Sequence, residues 1–305
     1  MNSSTSQTAD TPEVAAALDV LNSGRAGALQ EAMAALERAG AEGNGEALAR
    51  LSYLKAAGLA EQPDWDQCLA MLRQAAELGW ARAQEELQTL AQGDAAVDLR
   101  AFVAPRHTEV VSTAPRIRTV RGLFSPAECA WVVARGRTRL EPATVYTNEE
   151  LGSARVAERS NSGAPFQLQD LDLALIFLRA RISNTIGLPL ACFEPAYLLH
   201  YAPGEAFAPH HDYLDNSKPG LAADIQQRGQ RVATILVYLN TGYGGGETEF
   251  PELGYKFKGG EGDALIFANV DPNLAPDPRT LHAGLPPTSG EKWLLSQWAR
   301  NVAQH

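Results

Sequence analysis

The sequence predicts an α+β protein in which an all-α N-terminal half precedes a β-rich C-terminal half. Three observations predict it. From about Val14 to Gln92 the chain is rich in Ala, Leu, Glu and Gln, with Pro63 as its only internal proline, which is the composition of good helix formers. That segment matches itself when slid by 36 positions (79 − 43), so that Gly43 falls on Gly79 and Leu51 on Leu87. Beyond Gly187, short β-type runs alternate with Gly- and Pro-rich turns, the pattern of a sandwich or barrel.

Residues 1–12 are polar and read as a disordered tail; no positively charged stretch precedes an apolar run, so no signal peptide is expected. Residues 13–95 form the helical region. The 36-residue shift also aligns Ala47 with Ala83, Leu54 with Leu90, Met33 with Leu69, Leu36 with Leu72 and Ala39 with Ala75. Small residues recurring where helices approach closely signal a helix–turn–helix array. The segment resembles Sel1-like repeats, relatives of the tetratricopeptide family. A generic alanine-rich bundle is the alternative, because amphipathicity also aligns apolar positions. Residues 96–116 read as a linker or a first edge strand punctuated by Pro105 and Pro115.

Residues 117–305 make up the third region. Ser125-Pro126-Ala127-Glu128 opens a helix with an N-cap, a proline at its first position and an acid at its third. A second helix is expected from Leu168 to about Ile186, ending at Gly187-Leu188-Pro189. Strands are expected at Glu194–Tyr201, Val232–Leu239, Ala264–Phe267 and Lys292–Ala299, while the polar stretch 213–230 has an open role.

Composition narrows the function. With 45% hydrophobic and 20% charged residues the chain is not broadly disordered. Its formal charge of −10 lacks the basic footprint of a nucleic-acid binder. Cys68, Cys129 and Cys192 are odd in number and form no CxxC pair, so neither a disulfide framework nor a structural zinc site is expected. No run reaches the roughly 18 apolar residues of a membrane span. A cytoplasmic protein without membrane or nucleic-acid partners is the expectation.

Pro209-His210-His211-Asp212 ends the first β region. Residues two apart on a strand face the same way, so His210 and Asp212 converge while His211 turns aside. His282, 70 positions past Asp212 (282 − 212) and between two β-type segments, offers a third ligand. Two imidazoles and one carboxylate leave three octahedral positions open, as in non-heme Fe(II) oxygenases. Ten residues further (292 − 282), Lys292 shares a strand face with Leu294, Ser296 and Trp298. A lysine pointing into an apolar barrel requires an anion, and the C5 carboxylate of 2-oxoglutarate would supply it. Hydroxyls of Tyr201, Tyr238 and Ser296 are candidates for the remaining carboxylate oxygens, with Thr234 on the same face as Tyr238. Gly244-Gly245-Gly246 reads as a turn, since no Lys-Ser/Thr follows it.

From about Ile117 to Ala299 the chain resembles the prolyl 4-hydroxylase family of 2-oxoglutarate/Fe(II) dioxygenases. The matching blocks are HYAPGEAFAPHHDY, GQRVATILVYLN, GGGETEFPELG, GDALIFANV and TLHAGLPPTSGEKWLLSQW, in family order. The resemblance implies a double-stranded β-helix (jelly roll), His210, Asp212 and His282 as iron ligands, and Lys292 with Tyr201 on 2-oxoglutarate. It further implies that the segments around Tyr146 and Arg159 belong to a loop closing over substrate, with Arg231 and Trp298 on the substrate side. The implied reaction hydroxylates a C–H bond, in a prolyl residue of a peptide or protein, while 2-oxoglutarate becomes succinate. Fe(II), 2-oxoglutarate, O₂ and ascorbate as reductant are the implied cofactors, and the helical half would engage a protein partner. A free amino acid or other small molecule as substrate, or a non-catalytic repeat-plus-jelly-roll binding module, are the rival readings.

Overall fold

The computed structural model describes residues 10–304 except 61, 94–95, 144, 147–152 and 155–158, and of Val145, Tyr146, Ser153 and Ala154 it describes the backbone alone. The chain divides into two compact units, one of residues up to Phe102 with Leu168–Phe177, the other of Val103–Gln167 with Leu178 onward. Residues 168–177, which the sequence placed with the β-rich half, thus group with the helices. Among the described residues no helix is long and apolar enough to cross a membrane.

In the first unit, helices Pro12–Asn22, Ala28–Ala41, Gly45–Ala56, Trp65–Glu77 and Ala81–Ala91 pack in succession. Asn44 and Asp64 cap their helices by accepting the Ala47 and Gln67 amides, satisfying donors the first turn leaves open. The helices bury a small-residue core of Val14, Ala17, Ala32, Leu36, Ala39, Ala47, Leu51 and Leu54. Close approach has a sequence cause: a Cβ on Gly45 would lie 2.9 Å from the Ala75 carbonyl oxygen. Glu86 is fully buried here, and it accepts from the Tyr53 hydroxyl at 2.5 Å and from the Ala174 amide at 2.9 Å.

The second unit is built on two main facing sheets, with two further two-stranded ribbons, Gly244–Gly245 with Pro287–Ser289 and Val145–Tyr146 with Ser153–Ala154. The larger has the strand order Glu109–Thr113, Arg116–Val120, Ala264–Ala268, Arg231–Tyr238, Lys292–Arg300, Tyr197–Tyr201, Ser162–Pro165 and Glu141–Pro142. The smaller has the order Tyr255–Phe257, Thr248–Phe250, His282–Gly284 and Phe207–His210. Every strand pair is antiparallel, and sequence neighbours often lie in opposite sheets, which is the winding of a jelly roll. Inward side chains of both sheets, among them Ile117, Leu199, Leu236, Phe250, Phe257, Phe267 and Leu294, form one core. Burying each of these stabilises the fold by about 1.5–3 kcal/mol, and Phe267→Ala would cost about 3–5 kcal/mol through the cavity it leaves.

The helix Pro126–Gly136 starts with the capping box that the sequence predicts: Ser125 and Glu128 each bond the other's backbone amide. Glu128 also takes both terminal nitrogens of Arg181 at 2.8 and 2.9 Å, so two buried charges neutralise each other. The second expected helix begins later than its apolar pattern suggests. Residues Leu168–Asp170 form a 3-10 turn, and the α-helix Leu173–Ile186 starts where Asp172 accepts the Leu175 amide. Inside the polar stretch 213–230 lies a helix that the sequence did not reveal, Pro219–Arg228.

Candidate active site

His210 ends one strand of the smaller sheet and His282 begins its neighbour, and the antiparallel register sets them directly opposite each other. Asp212 lies two residues past the strand end. Strand alternation therefore explains His210 but not Asp212, which the turn brings round. Potential ligand atoms of His210, Asp212 and His282 all lie within 4.8 Å of one another. His211 turns aside to the Pro278 carbonyl at 2.9 Å.

The surroundings orient each group. His210 Nδ1 bonds the Ala208 carbonyl at 2.8 Å and His282 Nδ1 bonds the Thr280 carbonyl at 3.0 Å, which places the proton on Nδ1 and turns both Nε2 lone pairs inward. Each Nε2 is 3.6 Å from an Asp212 oxygen. His210 stacks on Phe207 at 3.5 Å, and the His282 ring meets the edge of Phe267 at 4.7 Å. Burial lowers the His282 imidazole to about 4, so it is neutral near pH 7. Burial pushes the Asp212 carboxyl upward, but the His282 and His210 rings outweigh it and hold it well below the usual range. A donor set of two imidazole nitrogens and one carboxylate oxygen suits Fe(II).

The same cavity is lined by Arg159, Leu199, Tyr201, Leu236, Thr248, Gly284, Lys292, Leu294, Ser296 and Trp298. Lys292 is opposite Tyr201 in the ladder, and with Leu294, Ser296 and Trp298 it forms the row that two-residue spacing demands. Lys292 is 0% exposed, and among the described residues nothing bonds its Nζ. The faces of Tyr201 and Tyr238, with centroids 5.0 and 5.5 Å away, attend the ammonium. Burial lowers it to about 7. A cation so placed is costly without a counter-ion, so the cavity fits a small dianion whose far carboxylate reaches Lys292. Gly246 permits this packing: at φ +73° its Cβ would lie 2.9 Å from the Tyr243 ring and 3.3 Å from Lys292 Cδ.

Three residues assigned from sequence have other work. The Tyr238 hydroxyl does not line the cavity, because Thr248 Oγ1 at 2.8 Å and the Phe257 carbonyl at 3.1 Å occupy it. Thr234 donates to Asp212 Oδ2 at 2.7 Å and accepts from Asn269 at 3.0 Å, so it orients the candidate metal ligand rather than a cosubstrate. Arg231 grips Glu194 through Nε and Nη2 at 2.7 and 2.8 Å and covers the Trp298 ring at 4.2 Å, backing the cavity wall rather than lining it. Arg159 does line the cavity, over the Phe207 ring at 4.3 Å and bonded to Asn161 at 2.9 Å. The Tyr146 side chain lies outside the described residues. Sequence reasoning missed Phe207, Thr248, Asn161, Glu194 and Asn269. Buried polar types such as Asn269 and Glu194 inside apolar runs were the available signal.

The profile of the 2OG-Fe(II) oxygenase superfamily matches residues 196–300. The chain is 32% identical over 209 residues to Prolyl 4-hydroxylase 1 of Arabidopsis thaliana, covering 64% of this chain and 72% of that protein. The chain belongs to the prolyl 4-hydroxylase family of 2-oxoglutarate- and Fe(II)-dependent dioxygenases. Fe(II), 2-oxoglutarate and O₂ are accordingly its cofactor and cosubstrates. Probable prolyl 4-hydroxylase 7 of the same plant is 30% identical over 212 residues, covering 64% of this chain and 65% of that protein, just under two thirds of its length. The 2OG complex of a viral collagen prolyl hydroxylase from Paramecium bursaria Chlorella virus 1 aligns with 27% identity and a TM-score of 0.48, over 61% of this chain and 96% of that one.

Proposed function

We propose that this protein hydroxylates a prolyl residue of a peptide or protein, with 2-oxoglutarate decarboxylated to succinate. The observation that carries the oxygenase part is Lys292, a fully buried cation whose Nζ has no hydrogen-bond partner among the described residues, sharing one cavity with the His210, Asp212 and His282 cluster. The prolyl part is supported by the similarity to named prolyl 4-hydroxylases. When bound, Fe(II) with 2-oxoglutarate and O₂ supplies the oxidising chemistry. His210, Asp212 and His282 would hold the metal on one side, leaving the other open to the cavity. Lys292 would fix the distal carboxylate of 2-oxoglutarate, with Tyr201, Ser296 and Thr248 nearby in the wall. Leu199, Leu236 and Leu294 keep that end dry, which strengthens the ion pair. Arg159 and Trp298 would meet the polypeptide.

We further propose that the helical unit is a Sel1-like, tetratricopeptide-related array that engages a protein partner. Its two central turns repeat in detail at the spacing seen in the sequence. Glu42 N bonds Arg38 O, Gly43 N bonds Gly40 O and Asn44 N bonds Ala39 O, while Leu78, Gly79 and Trp80 bond Gln74, Ala76 and Ala75 in the same way. Such stacked pairs offer extended surfaces for polypeptides.

The test is incubation with Fe(II), ascorbate, 2-oxoglutarate and a library of proline-containing peptides, followed by mass spectrometry. A proline gaining about 16 Da together with succinate is the expected result. Succinate without any modified proline would overturn the prolyl reading and leave the oxygenase standing.

A further inference from the structure

The stretch between Asp212 and Arg231 folds into the helix Pro219–Arg228, and that helix is tied to the cavity by a continuous chain of charges. Asp224 Oδ2 accepts from Arg300 Nη2 at 2.7 Å. Arg300 also donates Nη1 to the Gly229 carbonyl, next to the helix end, at 2.8 Å, and Nε to Glu194 Oε1 at 2.7 Å. Glu194 in turn holds Arg231 through both oxygens, and the Arg231 guanidinium carbon lies over Trp298, 4.2 Å from its ring centroid.

The Arg300, Glu194 and Asp224 side chains are only 2%, 7% and 10% exposed. Two guanidiniums share one Glu194 carboxylate, and Asp224 supplies a second anion to Arg300 while also lying 3.6 Å from Arg228 on its own helix. Burial would raise Glu194, but Arg231 and Arg300 outweigh it and hold it at about 2, so this carboxylate stays ionised across the neutral range. Removing one member of such a buried set leaves an uncompensated charge and lets its neighbours move. The chain ends on an unused donor: Trp298 lines the cavity, and its Nε1 is buried without a hydrogen-bond partner among the described residues.

We propose that the Pro219–Arg228 helix is a positioning element for substrate recognition. Through Asp224 and Arg300 it fixes Arg231, and Arg231 fixes the Trp298 indole so that its N–H is presented to a backbone carbonyl of the bound polypeptide. This rests on the peptide-substrate reading above. Asp224 and Arg300 are positioning residues, since neither lines the cavity.

The experiment uses the full-length protein with 5-fluorotryptophan, the Trp298 resonance being assigned by Trp298→Phe. Asp224→Ala is expected to shift or broaden that fluorine resonance. The same variant should raise KM about threefold to tenfold for whichever proline-containing peptide the wild type hydroxylates. The 2-oxoglutarate dissociation constant, measured with Mn(II) in place of Fe(II), should not change. Asp224→Glu should restore both the resonance and KM. An unshifted Trp298 resonance in Asp224→Ala overturns the proposal, as does a shift that Asp224→Glu leaves in place. If the wild type hydroxylates no proline peptide, the prolyl reading fails while the fluorine spectra still decide the positioning role.

Discussion

Glu86 among the helices and Lys292 between the sheets are both completely buried, yet they are satisfied in opposite ways. The Glu86 carboxyl has the Tyr53 hydroxyl and the Ala174 amide as partners, and burial, reinforced by Asp172, pushes it up to about 8. It is therefore protonated at neutral pH and belongs to the fold. Lys292 has no partner for its Nζ among the described residues, and burial brings it down to about 7. A buried polar group with its bonds made stabilises the structure it sits in, whereas one left open costs stability until a ligand arrives. The contrast separates the half that holds a shape from the half that holds a chemistry.

Replacing each residue tests that contrast, and the largest effect is expected at Lys292. Lys292→Ala should weaken 2-oxoglutarate binding by at least about a hundredfold, because the distal carboxylate would be buried without its cation. Calorimetric titration in the presence of Mn(II) measures this. The unfolding midpoint of the ligand-free variant should stay the same or rise. A lowered midpoint with unchanged affinity would make Lys292 a structural residue and erase the distinction.

Glu86→Ala should do the reverse. Leaving the Tyr53 hydroxyl and the Ala174 amide unbonded costs about 2–4 kcal/mol of stability, with 2-oxoglutarate affinity unaltered. Denaturant unfolding followed in parallel with the titration decides it. Glu86→Gln, which keeps shape and an acceptor, should lose much less.

The smallest effect is in pH dependence, where the two sites have opposite signs. The folded Glu86 pKa of about 8 lies above the ordinary 4.5, so the native state holds the extra proton between them. Its stabilisation is present below 4.5 and is lost as pH rises toward 8. The folded Lys292 pKa of about 7 lies below the ordinary 10.5, so the unfolded state holds the extra proton, and the ligand-free protein gains stability as pH rises from 7. Because the carboxylate of 2-oxoglutarate pairs with the ammonium, its affinity should fall by up to about tenfold per pH unit above 7. Melting curves of Glu86→Gln and Lys292→Ala against pH should each lose one of the two slopes.

Much of the fold was legible because it depends on local patterns. The capping box at Ser125 and the period-2 row from Lys292 to Trp298 need only near neighbours, and both appear as the spacing implies. The helix at Pro219–Arg228 was illegible. It buries no residue, its polar composition matches that of a loop, and what anchors it is Arg300, 76 positions from Asp224. Thr234, Tyr238 and Arg231 were placed on the correct strand, but their partners come from elsewhere in the chain: Asp212, Thr248 and Glu194. Periodicity tells which way a side chain points and leaves open what it meets.

The sequence by itself determined the ligand types, their order along the chain, and a lysine on the inward face of a central strand. Residue chemistry and strand alternation are properties of short segments, so these survive without coordinates. Only the tertiary structure decided that His210 and His282 pair across adjacent strands, that the Lys292 Nζ finds no hydrogen-bond partner among the described residues, and that Arg231 is held by Glu194. Each depends on antiparallel register and on which buried charges find one another over long separations, and no local pattern encodes those distances.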